Sequence, residues 1–398
     1  MKIGMITNSY KPYISGVTNY ILLNKKFLEK AGHEVYVFTF GDEDYEDGEL
    51  NVVRSPGMPL VDSGFYISLS FNRRARRLLY SMDLVHIQHP FQSGNLALRY
   101  CKPRNIPVVF TNHTRYDLYA QAYLPFLPDS VGETALRAYL PTFCRACDLV
   151  IAPSQGLRQV LIHLGVDSPI EVVPNGVDLI PFQEELHPIE RLSLGIPEDH
   201  VVLMYVGRLG PEKNLSFLLQ AFGGTAQALE KVSLVMVGDG PERIKLQDQV
   251  TQMGLPARIK FTGFVPYPEL PNYMALGDAF ITASVTEVHP LSVIEAMAAG
   301  LPVLGIASPG IEDSIQDGVT GYLSTEDIAA FTAKMVLLVT DHENRNRMSE
   351  QARQAAEKYD IRHTTKLLLE HYERLYKIRL STKQSLHNRL VRALDRRK

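Results

Sequence analysis

Two glutamates, Glu287 and Glu295, stand eight residues apart around the run Val288-His289-Pro290-Leu291-Ser292-Val293-Ile294. Their spacing predicts distinct positions on one structural unit. A strand over Ala279–Thr282 should end in a loop at Ser284–His289, and a helix should begin near Pro290, where a proline in the first turn gives up no intrahelical hydrogen bond. The helix should run to Ala299 and stop at Gly300. Glu287 then lies in the loop before the helix N-terminus, and Glu295 more than a turn inside the helix. Free N–H groups and the helix dipole make such an N-terminus a site for an anion. One carboxylate shares that spot, and the other is placed to hold a different part of the same ligand. Two exposed helical glutamates would show the same spacing, so the rest of the chain must decide.

The chain has 398 residues, a formal net charge of −3, 45% hydrophobic and 21% charged residues. That is ordinary globular composition, and the length predicts two domains. No apolar run reaches the roughly 20 residues of a spanning helix. The opening Lys2–Thr7 reads as a strand rather than a signal peptide. Three cysteines are too few for a disulfide framework, so a reducing cytoplasm is expected. Cys144-Arg-Ala-Cys147 is read as a pair of buried thiols, since no second pair or histidine cluster completes a metal site.

The elements that must position the glutamates alternate. Strand Lys2–Thr7, a loop with Gly16, helix Val17–Ala31 and strand Glu34–Phe40 form a βαβ unit and imply a parallel sheet. The loop lacks the GxGxxG of dinucleotide folds. Gly16 still permits close approach of a ligand at a helix N-terminus. Strands follow at Asp83–Gln88, Pro107–Thr111, Leu149–Ala152 and Ile170–Val173. Ligands bind beyond the C-terminal ends of such strands, which brings His89 and His113 forward as candidates. Residues 116–128 are rich in Tyr, Leu, Phe and Pro, and either line an apolar groove or pack. Residues 181–199, with Pro, Gly and charge but no strand, read as an interdomain linker. The alternation then restarts with Val201–Val206, Ser233–Val237, Ile259–Phe261, Ala279–Thr282 and Val303–Ile306.

Three charged stretches need separate treatment. Asp42-Glu43-Asp44 has a D-x-D form, but its crowded acidic surroundings read as a solvated loop. Residues 68–82 are expected to form a basic amphipathic helix, with Phe71, Ala75, Leu78, Leu79 and Met82 on one face and Arg73, Arg74, Arg76 and Arg77 on the other. A solvated face and contact with anionic lipid headgroups both remain open. The tail from Lys377 is strongly basic; a membrane surface fits it better than nucleic acid, for which the chain carries no recognition motif, and a disordered tail fits it equally well.

With these residues in view, the chain resembles glycosyltransferase family 4, retaining enzymes of GT-B architecture that use nucleotide sugars. The motifs are Pro-x-x-Ser-Gly16-Val, Asn112-His113-Thr114, Pro174-Asn175-Gly176-Val177-Asp178, Gly207-Arg208-x-x-x-Glu212-Lys213-Asn214, Gly238-Asp239-Gly240-Pro241, and Glu287-x7-Glu295 running into Ala296-Met297-Ala298. The resemblance covers essentially residues 1–375. His113-Thr-Arg-Tyr and the basic stretches look most like bacterial enzymes that glycosylate diacylglycerol. One departure is Val288-His289-Pro290, where the family often has Gly or Phe-Gly. Proline donates no N–H, so phosphate or sugar contacts there fall to Leu291 and Ser292.

The resemblance implies an α/β fold with two Rossmann-like doubly wound domains facing a cleft: an acceptor domain over 1–180, a linker over 181–199, and a nucleotide-sugar domain over 200–360. Residues 361–398 would form a helix returning to the first domain plus the basic tail. It also implies that Glu295 holds the ribose, that Glu287 meets the transferred sugar near C3 and C4, and that His113 meets O6 and the reacting face. Val265 would contact the base, and Gly16 the phosphates and acceptor. A leaving diphosphate carries about two charges, which the Arg208 fork and the Lys213 ammonium can meet without a metal or cofactor. The expected activity is retaining transfer of a hexose, with glucose from UDP-glucose as the guess, to a lipid such as diacylglycerol at the cytoplasmic membrane face. A soluble sugar or sugar-phosphate acceptor is the alternative, and a sugar-nucleotide epimerase stands further off.

Overall fold

A computed structural model of the chain describes residues 1–60, 64–118, 129–184 and 186–395, without the side chains of 129–131 and 382–395. Two sheets carry it. The first has seven strands in the order Val52–Ser55, Glu34–Phe40, Lys2–Ile6, Leu84–Ile87, Val108–Thr111, Leu149–Ala152 and Ile170–Val172. The second has six, in the order Ile259–Gly263, Val232–Val237, Val201–Val206, Ala279–Thr282, Val303–Ile306 and Gly321–Ser324. Every pairing in both sheets is parallel.

Helices cover both faces, so the central strands are apolar on both sides: Leu84–Ile87, Val108–Thr111, Leu149–Ala152 and Ala279–Thr282 are buried at every residue. In each sheet the order reverses beside the first strand. Lys2–Ile6 lies between Glu34–Phe40 and Leu84–Ile87, and Val201–Val206 between Val232–Val237 and Ala279–Thr282. Crevices at such reversals are where open α/β sheets bind ligands. The loops leaving these four strands carry most of the residues singled out above.

The chain passes between the sheets twice at one place. Val177 donates its N–H to Tyr359, and Ile361 donates to Val177 at 2.9 Å. Gly176 makes room for this crossing, because a Cβ there would stand 2.0 Å from the Thr364 hydroxyl and 2.8 Å from the Ile361 Cα. The C-terminal helix Ile361–Asp395 then lies on the first domain's helix Gly16–Lys30.

Several elements differ from the sequence reading. The basic helix is Arg73–Leu79, not 68–82: Asn72 caps it by accepting from the Ala75 N–H at 2.7 Å, and Ser81 and Met82 close it with i→i−3 bonds. Arg73, Arg74 and Arg77 are exposed, while Phe71, Ala75, Leu79 and Met82 join the core. The expected linker, 181–199, packs on the second domain. Phe182 and Ile196 are buried in the second domain's core, and Arg191 ties to Leu276 and Asp278. Strands Val52–Ser55 and Gly321–Ser324 add to the sequence reading; they are short edge strands with little apolar run. The helix Leu215–Ala228 runs through Gly223 and Gly224, which lie under the Met253 and Thr332 side chains. Among the described residues no helix is long and apolar enough to cross a membrane.

Candidate active site

The loops at the end of the second sheet are stacked backbone on backbone. Leu209 donates its N–H to Asp239 at 2.9 Å, and Glu242 donates to Leu209 at 3.0 Å. Gly238, at φ +136°, has no alternative, since a Cβ there would meet the Gly207 carbonyl at 2.0 Å. This stack fixes the path of Gly207–Asn214. Asn214 takes a left-handed conformation, φ +53°, and turns the short 3-10 segment Pro211–Lys213 into helix Leu215–Ala228. The buried Glu212 accepts at its carbonyl from the Ser284 and Thr286 hydroxyls, at 3.3 and 3.2 Å, tying this loop to the one that carries Glu287. Lys213 then donates to Glu287 at 2.6 Å. Arg208 stands 3.9 Å from the Glu212 carboxylate.

The helix after Glu287 is Leu291–Ala298, with Pro290 as its N-cap rather than in its first turn. Pro290 offers no side-chain cap, so Leu291 and Ser292 head a first turn whose N–H groups face outward from the helix. Gly300, at φ +81°, lies just past its end. Seven of its eight residues are buried, including Glu295 at 3% exposure. A carboxylate in such a place needs a donor, and Tyr267 supplies it at 2.9 Å. Burial nevertheless pushes the Glu295 carboxyl up to about 7, the tyrosine bond offsetting part of that rise. Val265, half-buried two residues before Tyr267, packs on the same core.

The first domain presents His113 and Gly16. His113 stands at the end of strand Val108–Thr111, its Nε2 2.7 Å from the Gln88 Oε1 and its ring edge-on to Tyr20 with centroids 4.6 Å apart. The Gln88 amide nitrogen donates to the His86 carbonyl at 3.3 Å. That orientation leaves Oε1 toward His113, so Nε2 carries the proton and Nδ1 the lone pair. Desolvation, with smaller contributions from His86 and His89, holds His113 well below the ordinary histidine range. Gly16 is the first residue of its helix, capped by Ser15, and a Cβ there would meet nothing within 4 Å. His89 accepts the Asn8 N–H at Nδ1 and is buried, which makes it a structural histidine.

The Glu287 loop also touches the first domain. Val288 is buried in that domain's core cluster, and Asn175 donates to the His289 carbonyl at 2.9 Å. Gly310 backs against the same loop, where a Cβ would come 2.2 Å from the Glu287 carbonyl. Buried Asn175 Oδ1 and His289 Nδ1 carry no hydrogen-bond partner. The Val288-His289-Pro290 departure is thus an interdomain contact. The arginines at 73, 74, 76 and 77 belong to the far edge of the first domain's sheet and are no part of this cluster. Residues 119–128 of the aromatic segment lie outside the described residues. Asp42 and Asp44 are exposed, and Asp42 accepts its own loop's Asp44 N–H. Cys144 is buried and Cys147 half-buried, both free thiols.

Two family models match: Glycosyltransferase Family 4 over residues 14–180 and Glycosyl transferases group 1 over residues 188–355. The α-monoglucosyldiacylglycerol synthase of Streptococcus pneumoniae is 31% identical over 369 residues, 88% of this chain and 81% of that protein. The chain belongs to glycosyltransferase family 4. This glycosyltransferase is also 30% identical to the α-monoglucosyldiacylglycerol synthase of Acholeplasma laidlawii, over 81% of its length and 84% of the relative's. A sulfoquinovosyl transferase of Arabidopsis thaliana, SQD2, is 31% identical over 90% of this chain and 71% of that one. The two-sheet fold is that of GT-B structures. Anabaena HepE, solved with UDP and glucose, superposes with a TM-score of 0.76 at 22% identity, covering 94% of this chain and 99% of HepE. Sucrose-phosphate synthase from Thermosynechococcus elongatus gives 0.77 at 19% identity, covering 95% and 99%.

Sequence reasoning did not single out Tyr267 or Gln88. Tyr267 sits in a Pro-Tyr-Pro turn that carries no chemical signature, and only its bond to Glu295 marks it. Gln88 at a strand end was visible by position but not by type.

Proposed function

We propose that this family 4 glycosyltransferase moves glucose from UDP-glucose to diacylglycerol with retention of configuration, giving an α-glucosyl lipid. The observation that carries the reading is the Lys213–Glu287 pair, with Arg208 on the same loop as Lys213, and the buried Glu295–Tyr267 pair that involves the following helix. Glu295, when ionised, accepts the ribose hydroxyls, each charge-assisted bond contributing about 1.5–3 kcal/mol. Arg208 and Lys213 meet the diphosphate, helped by the amides of Leu291 and Ser292, and no metal is needed for charge neutralisation. Val265 lies against the base, and the open space over Gly16 admits the phosphates and acceptor.

The C1–O bond to the β-phosphate breaks as the acceptor oxygen forms a bond to C1 on the same face. The acceptor's proton passes to the departing phosphate oxygen. Glu287, at the sugar's C3 and C4 hydroxyls, contributes negative charge that favours the oxocarbenium-like transition state. Neutral His113 offers its Nδ1 lone pair to the O6 hydroxyl.

The lipid acceptor is supported by the names of the relatives and by the surface of the first domain. A two-stranded ribbon pairs Met58 with Ile67, and both are exposed, as is Leu69. Exposed Arg73, Arg74 and Arg77 follow within ten residues. An apolar ribbon beside a cluster of guanidinium groups suits an anionic membrane surface, and we place the enzyme peripherally on the cytoplasmic face. Mass spectrometry of products from a panel of nucleotide sugars, with and without diacylglycerol vesicles, tests the reading. A hexosyl diacylglycerol formed from UDP-glucose supports it. Turnover only with soluble sugars or sugar phosphates would move the acceptor to that class.

A further inference from the structure

The first domain contains a line of hydrogen-bonded side chains that the transfer chemistry does not use. Tyr372, on the C-terminal helix, places its hydroxyl 2.6 Å from His86 Nδ1. The opposite ring nitrogen, His86 Nε2, is 2.6 Å from the Thr111 hydroxyl. The His86 ring also stands edge-on to Tyr20, with centroids 6.2 Å apart, and the Tyr20 ring is in turn edge-on to His113. A second route leaves the His86 carbonyl, which accepts from Gln88, and Gln88 accepts from His113.

These groups are far from solvent. Tyr372 and His86 are 0% exposed, Thr111 1% and Tyr20 4%. Burying a histidine ring in an apolar core is unfavourable unless its polar atoms are paired, and here Tyr372 and Thr111 pair both ring nitrogens of His86. A hydrophobic residue at position 86 would fill the space without that network. The two hydroxyls therefore do something packing alone would not: they fix the rotation of the His86 ring, against which Tyr20, the ring packed on His113, is seated.

We propose that Tyr372 is a positioning residue for His113, acting from the C-terminal helix through His86, whose other ring nitrogen Thr111 holds, and Tyr20. The helix that returns from the second domain thereby becomes part of the reacting site, although Tyr372 itself is fully buried. The inference rests on the role given to His113 above.

The test uses two variants of the full chain, each lacking one hydroxyl: Tyr372→Phe and Thr111→Val. A third, Arg374→Ala, is the control, since it removes an exposed contact of the same helix to Glu171 at 3.2 Å. Tyr372→Phe and Thr111→Val should each lower kcat about five- to twenty-fold, a loss typical of a displaced reacting group, with donor KM unchanged. Arg374→Ala should change neither. In 15N-histidine spectra both hydroxyl variants should shift His113 away from its Nε2–H form, and in a His113→Ala background neither should lower kcat further. An unshifted His113 resonance, equal losses in Arg374→Ala, or losses that add to that of His113→Ala would overturn the relay. If His113→Ala itself left kcat unchanged, the role of His113 would fall, and the positioning role with it.

Discussion

Lys213 and Glu287 are 74 residues apart in the sequence, and their side chains form a 2.6 Å ion pair, each only about one-fifth exposed at 19% and 18%. The ammonium expected to meet the diphosphate is held by the carboxylate expected to meet the sugar. Donor binding must therefore divide the pair's attention between the two ends of one ligand.

Two variants follow from that pairing. Glu287→Ala should lower kcat about a hundredfold, near 3 kcal/mol of transition-state stabilisation, while binding of free UDP tightens a few-fold because Lys213 is released to the diphosphate. Steady-state kinetics and calorimetry with UDP read the two effects. A rise in donor KM at constant kcat would contradict the role of Glu287.

Glu295 predicts a pH dependence. Its folded-state carboxyl is raised to about 7 from 4.5. The folded protein thus holds this proton more tightly than the unfolded chain, and stability falls as pH rises from about 4.5 to 7. Glu295→Gln, which keeps an acceptor for Tyr267, removes that loss. The variant should match the parent near pH 4.5 and be more stable above pH 7.5, by up to about 3 kcal/mol. Melting temperatures across this range check it, and donor KM should rise at least tenfold in the same variant at pH 8 through loss of the ribose contact.

Gly310 has no visible chemistry, yet its Cα backs against the Glu287 carbonyl. Gly310→Ala must push the Glu287 loop or the Ser308–Gly310 turn aside, an overpacking worth about 1–3 kcal/mol. A kcat drop larger than the change in melting temperature explains is the expected result. Unchanged kcat would show that the loop yields without moving Glu287.

At the edge of the first domain, changing Arg73, Arg74, Arg76 and Arg77 to Ser should sharply reduce sedimentation with anionic vesicles and leave turnover of a short-chain, detergent-solubilised acceptor near that of the parent. Arg379 should not share this role. Its side chain is 9% exposed and donates to the Met82 carbonyl at 2.9 Å, docking the C-terminal helix. Equal vesicle binding by the quadruple variant would remove the arginines from the membrane contact.

Much of the fold was legible because buried parallel strands are continuous apolar runs, and their alternation with helices admits few topologies. The family was legible through short motifs at strand ends, whose glycines and charges have few other reasons to recur in that order. Edge strands such as Val52–Ser55 were not, since they lack the run that marks a central strand. Nor was the depth of Glu295: a glutamate on a helix reads as solvated, and only the apolar residues on every side of Leu291–Ala298 hint that this helix has no solvent face. The basic helix was overextended because Phe71 and Met82 continue the apolar spacing past the caps that end it. Tyr372 and His86 lie 286 residues apart, and no local pattern links them.

The central claim is retaining transfer of glucose to a lipid. Its most direct test is proton NMR of the product isolated after incubation with UDP-glucose and diacylglycerol vesicles. A glucosyl diacylglycerol with a small anomeric coupling, the α configuration of the donor, is the expected product. A large coupling would show inversion, and release of free glucose with no glycolipid would show that diacylglycerol is not the acceptor.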